Sequence, residues 1–127
     1  MARVVDLAAE LDTLTEFWSP KEVGRVNDTA LKVVQLQGAF ARHQHDAEDE
    51  CFLVLEGRLS MDLDDGTQVV GPGQFIVVPR GVPHRPHCEE PVRLLLIEPA
   101  STVQYGDADG GAAAVLDARA TVPDQSS

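Results

Sequence analysis

His43-Gln44-His45-Asp46-Ala47-Glu48-Asp49-Glu50-Cys51-Phe52-Leu53-Val54-Leu55-Glu56-Gly57 is the stretch on which the reading of the fold turns. Alternate residues of an extended chain point to the same side, so the two histidines of the opening triplet present their rings to one place. After a short acidic loop the apolar run begins, and alternation places Glu50, Phe52 and Val54 on one face and Cys51, Leu53 and Leu55 on the other. Glu50 therefore faces the core, which is costly for a carboxylate unless a cation balances it. Glu48 and Asp49 are competing acids, but they fall in the loop, where water solvates them.

A fourth residue belongs with these. His84 follows Pro79-Arg80-Gly81-Val82-Pro83, where proline restricts φ and glycine permits the bend. Its imidazole arrives with little freedom left to lose on binding.

Outward from this core the texture is that of short strands. Asn27-Asp28, Asp64-Asp65-Gly66, Gly71-Pro72-Gly73 and Pro79-Arg80-Gly81 break the chain between Val23 and about residue 100 into runs spaced like a sandwich or barrel. In Gly57–Leu63, alternation sends Leu59, Met61 and Leu63 to one face, and Asp65-Gly66 supplies hairpin-turn chemistry. Asp62, Asp64 and Asp65 read as turn and outer-face residues and not as ligands. Further strands are expected at Gln68–Val70, Gln74–Val78 and Val92–Glu98, the last apolar enough to be buried on both faces.

Before these strands, Leu7, Leu11, Leu14 and Trp18 fall at helical spacing, Asp6 can cap the start and Ser19-Pro20 ends the pattern. The spacing predicts a helix over 6–18 that covers a sheet face or a partner subunit. Beyond Pro99 the residues become small and polar, and a loosely held tail is expected. The predicted organisation is an N-terminal helical segment over 1–22 packed outside a barrel over 23–105, followed by a flexible tail over 106–127.

Composition bounds the function. A chain of 127 residues encloses one core. Its formal charge of −11 repels phosphate backbones and anionic lipid, so neither nucleic acid nor membrane is an expected partner. No secretory or transit signal is legible after Met1, and the two cysteines, Cys51 and Cys88, suit a reducing compartment, so a cytoplasmic location is expected.

The spacing resembles the two signature motifs of the cupin superfamily. The first is His43-x-His45-(four residues)-Glu50-(six residues)-Gly57, and the second is Gly73-(five residues)-Pro79-x-Gly81-x-x-His84. Likeness extends from about residue 5 to residue 106, with Phe17-Trp18-Ser19-Pro20-Lys21 and Leu96-Ile97-Glu98-Pro99-Ala100 similar to one small single-domain group often labelled mannose-6-phosphate-isomerase-like. Gly38 lies one residue nearer to the first histidine than the usual motif glycine, and Cys88 replaces the asparagine that often ends the second motif. The resemblance implies an all-β, antiparallel jelly-roll barrel, and a homodimer by analogy with relatives.

It also implies one divalent transition-metal ion held by His43, His45, Glu50 and His84. Zinc or iron is favoured and manganese, nickel or copper is admissible; an octahedral ion keeps two positions open. Phe40, Phe52, Val54, Met61 and Ile76 are expected to wall the site or fill the core beside it. Arg85, His87 and Cys88 follow close on His84. Alternation turns His87 away from the site and Cys88 toward it; Arg80 and Arg85 flank it, either as exposed turn residues, the commoner case, or as holders of a substrate carboxylate or phosphate.

Two kinds of function fit this reading. One is a metal-dependent enzyme acting on a small molecule: an oxygenase, an isomerase or epimerase, or a zinc-type non-redox catalyst such as the cupins that join two nitrogen atoms. The other is a non-catalytic module that binds or stores a small molecule.

Overall fold

The computed structural model describes residues 2–104 and 106–107 with their side chains and residues 115–118 as backbone. One short helix, α1 (Leu7–Asp12), precedes eight strands: β1 (Lys21–Val26), β2 (Thr29–Phe40), β3 (Glu50–Glu56), β4 (Leu59–Leu63), β5 (Gly66–Val70), β6 (Phe75–Val78), β7 (Arg85–Pro99) and β8 (Val115–Ala118). Every strand pairing is antiparallel.

The long β7 organises the barrel. Its second half lies between β2 and β3, with Leu94 opposite both Val34 and Val54, and its first half pairs with β4 through Ser60↔His87 and Asp62↔Arg85. β6 joins the far side of β3, placing Val78 opposite Glu50. β4 and β5 form the hairpin that Asp64-Asp65-Gly66 predicts, with Leu63 paired to Gly66. Asn27, at φ 51°, makes the turn between β1 and β2.

Alternation sorts the side chains into two layers. Phe52, Val54, Leu59, Met61, Leu94 and Leu96 pack inside the barrel. Each such burial contributes roughly 1.5–3 kcal/mol. On the outer face Val33 and Leu95 are covered by Leu11 of α1, with Leu7, Leu14, Leu53 and Leu55 beside them. Both faces of Val92–Leu96 are thus largely buried, as the unbroken apolar run predicts.

The helix is shorter than the periodicity predicts. Asp6 caps its start, Oδ1 accepting from the N–H groups of Ala8 and Ala9. Thr13 then closes it, its hydroxyl donating to the Glu10 carbonyl at 2.7 Å. Leu7, Leu11 and Leu14 still form the outer stripe, but Trp18 leaves it. At φ 62° its backbone turns the ring into the barrel, where Nε1–H donates to the Gln37 carbonyl at 2.8 Å and the indole stacks on Phe40. A buried hydrogen bond plus an aromatic contact outweighs the continuation of a short helix.

The segment expected to be a tail is attached at two points. Asp107 and Gln44 exchange contacts, the Asp107 N–H donating to the Gln44 carbonyl at 3.1 Å and the Gln44 N–H to Asp107 Oδ1 at 2.9 Å. Further on, β8 pairs with the end of β2, from Gly38 to Phe40. The remainder of the 106–127 expectation lies outside the described residues. Among the described residues no helix is long and apolar enough to cross a membrane.

Candidate metal centre

His43, His45, Glu50 and His84 meet inside the barrel, each offering one ligand atom, all within 4.8 Å of one another. All four are buried, with exposures of 5, 4, 4 and 1%. Three backbone devices hold them there. The main chains of His43 and His84 form an isolated bridge, N–H to carbonyl at 3.0 and 2.8 Å in the two directions. The His45 carbonyl accepts from Gly81 N–H at 2.8 Å. Glu50 is the first residue of β3, fixed against Val78. Asp49, next to it, accepts from the Arg80 N–H and so binds the second motif's turn to the first motif's loop.

Two of the rings are oriented from behind. His43 Nδ1 lies 2.8 Å from the Ala41 carbonyl and His84 Nδ1 3.0 Å from that of Val82. A carbonyl only accepts, so each Nδ1 carries the proton and each Nε2 presents its lone pair. His45 Nε2 and His84 Nε2 approach Glu50 Oε1 to 2.9 and 3.1 Å. Neither contact has hydrogen-bond alignment, and all three buried atoms lack a hydrogen-bond partner. Lone pairs of a carboxylate and an imidazole repel at such distances unless a proton or a cation lies between them. Converging, unpartnered donors of borderline and hard type are what a divalent transition metal requires.

Electrostatics favour the ligand-ready forms. Burial, then the neighbouring His84, push the His43 imidazole down to about 4, so it is neutral above that. Burial opposes the charge on Glu50, but contacts with His45, His84 and Glu98 prevail and hold it well below the usual carboxylate range. For His45 burial works against the cation, and Glu50 outweighs it and raises the ring's pKa.

Glu98 is a residue the sequence reading did not single out. It is 2% exposed, and Lys32 Nζ lies 2.7 Å from its Oε2. Burial, then the neighbouring Glu50, push its carboxyl up to about 8, against the pull of Lys32. The two acids are thus driven apart: Glu50 is held toward the charged form and Glu98 toward the protonated one.

A cavity of about 40 Å³ opens beside the cluster, lined by Phe40, His43, Glu50 and Phe52 together with Trp18, Leu36 and others. Phe40 and Phe52 are where the sequence places them. Val54 and Met61, both fully buried, and Ile76, packed against the same cluster, belong to the core and do not line the cavity. Arg85 is turned outward to Asp62, at 3.4 Å, and His87 Nε2 reaches Asp62 at 2.9 Å. Cys88 is buried under β2, its thiol donating to the Leu36 carbonyl, and burial pushes it up to about 11. Such a thiol is inert as a nucleophile. Trp18 and Gln104 line the cavity and were not anticipated there; the helical spacing of Trp18 masked it.

An antiparallel β-barrel fold with a buried three-histidine, one-glutamate cluster defines a jelly-roll protein with a potential metal centre. The Cupin domain family (Cupin_2) matches residues 31–98, and the chain belongs to that family. It is 30% identical to the uncharacterized protein YdbB of Bacillus subtilis (strain 168) over 86 residues, 67% of this chain and 76% of that one. Among solved structures it resembles a cupin-2 domain containing protein from Shewanella frigidimarina, with 32% identity, a TM-score of 0.74 and coverage of 76% of this chain and 94% of that one. It likewise resembles protein NMB1881 from Neisseria meningitidis, with 31% identity, a TM-score of 0.69 and coverage of 76% and 99%.

Proposed function

We propose that the chain is a metal-dependent enzyme that acts on a small molecule at the His43, His45, Glu50, His84 centre. The observation that carries this is the set of buried, unpartnered atoms, His45 Nε2, His84 Nε2 and Glu50 Oε1, converging beside a cavity. Three neutral imidazoles and one carboxylate leave a divalent ion with one net positive charge and suit zinc or iron. Such an ion supplies Lewis-acid polarisation, or redox chemistry if it is iron.

The chain's own residues supply the rest. His43 and Glu50 face the cavity, so a bound molecule meets the centre from their side. Phe40, Phe52 and Leu96 exclude bulk water from it, which strengthens every charge interaction there. Glu98, paired with Lys32 at 2.7 Å, is a buried acid held toward its protonated form by burial and by Glu50.

The test is to load the protein separately with Fe(II) and Zn(II) and follow oxygen uptake and product formation over a panel of small molecules. Turnover with either metal, abolished in His84→Ala, supports the enzyme reading. Saturable ligand binding with no turnover under any metal overturns it in favour of a binding module.

A further inference from the structure

The cavity's lining specifies a substrate class, and this inference rests on the reading of the cluster as a reaction centre. Besides His43 and Glu50, its wall consists of Trp18, Pro20, Val34, Leu36, Phe40, Phe52, Pro86 and Leu96, with Gln104 as the one further polar side chain. Gln104 Nε2 already donates to the Trp18 carbonyl. Among the described residues no lysine or arginine lines the cavity. Lys32 is engaged with Glu98, and Arg85 with Asp62.

A polyol or a phosphate ester entering this space would exchange water for hydrocarbon at each hydroxyl or phosphoryl oxygen. Unpartnered polar groups of this kind are strongly disfavoured in an apolar site. The space beside the cluster is small, about 40 Å³ against roughly 10–15 Å³ for one water on such a measure. The aromatic wall is packed ring on ring: Trp18 stacks on Phe40 with centroids 5.2 Å apart, and Phe40 meets His43 edge-on at 5.1 Å.

We propose that the centre takes a short, largely apolar molecule with a single oxygen or nitrogen head, the head meeting His43 and Glu50 and the body lying against Val34, Leu36, Phe52 and Leu96, and that it rejects sugars and sugar phosphates.

The experiment uses a matched pair of uncharged four-carbon probes, 1-butanol with one hydroxyl and erythritol with four, and inorganic phosphate as a third. Trp18 is the only tryptophan in the chain and lines the cavity, so its emission reports occupancy directly. Titrations are run on the zinc-loaded and the metal-free full-length protein, with zinc content measured on the same samples. The expected result is a saturable emission change with 1-butanol and a dissociation constant for erythritol about a hundredfold weaker or more. Erythritol or phosphate binding as tightly as 1-butanol, or 1-butanol failing to change the emission saturably, overturns the assignment. A protein that takes up no zinc but still prefers 1-butanol contradicts the metal-centre reading alone, which keeps the two failures apart.

Discussion

The main chains of His43 and His84 exchange a pair of hydrogen bonds, while Ala41 and Val82, each two residues upstream, hold the Nδ1 edges of the two rings. The same local design is thus used twice, once from each motif, and it joins residues that lie 41 positions apart in the sequence. The bridge sets the spacing of the backbones, and the carbonyls set the tautomers. What is left is the ring Nε2 atoms, that of His84 lying 3.1 Å from Glu50 Oε1 while His43 faces the cavity.

Glu50 carries a buried charge whose value depends on a cation. In Glu50→Gln the shape is kept and the charge is lost, so metal affinity is expected to fall by about a hundredfold or more. The metal-free variant is expected to be as stable as the metal-free wild type or more so, because a desolvated carboxylate has been removed. Zinc titration by calorimetry and urea unfolding after chelation check the two halves separately. A variant that loses stability without losing affinity contradicts the role.

His43 makes the metal-free protein sensitive to acid. Its pKa is lowered from 6.5 to about 4 on folding, so the unfolded chain takes up a proton first. The stability contributed by the neutral ring is complete above pH 6.5 and is lost as pH falls toward about 4. A proton NMR titration of the His43 ring in the chelated protein is expected to show a midpoint near 4.

Glu98 has the opposite sign. Its folded pKa is raised from 4.5 to about 8, so its contribution is complete below pH 4.5 and is lost as pH rises toward about 8. Glu98→Gln keeps the side chain's shape and cannot ionise. Its unfolding free energy is expected to decline less than that of the wild type between those two pH values, and the pH series of urea midpoints measures this.

Gly57 closes the turn between β3 and β4 at φ 87°, and a Cβ there would meet the Pro91 carbonyl oxygen at 2.6 Å. Gly57→Ala combines a left-handed backbone with a collision against main chain, and a loss of about 2–3 kcal/mol is expected in chemical denaturation. The metal ligands lie elsewhere, so metal content per folded molecule is expected to be unchanged.

Much of this centre is legible in the sequence because strand alternation is a strict rule. The period of two brings His43 and His45 to one side and turns Glu50 inward with Phe52 and Val54, and the structure has all of them buried. The same rule, applied to Leu94, Leu96 and Glu98, would have exposed the second acid. The length of the apolar run concealed it, because a strand buried on both faces hides which positions share a face with the ligands. Trp18 was concealed differently. Its spacing from Leu14 is helical, and only the contacts with Gln37 and Phe40, which are distant in sequence, decide that it enters the barrel. Inward facing also does not separate cavity wall from core, so Phe52 lines the cavity while Val54, on the same face of β3, is core.

The most direct test of the central claim is the metal content of the purified protein beside His45→Ala and Glu50→Ala, each checked for folding by circular dichroism. The account predicts close to one divalent transition-metal ion per wild-type chain after loading, and loss of most of it in both folded variants. Retention of full metal content in both variants, or a wild-type protein that takes up no metal, would contradict it.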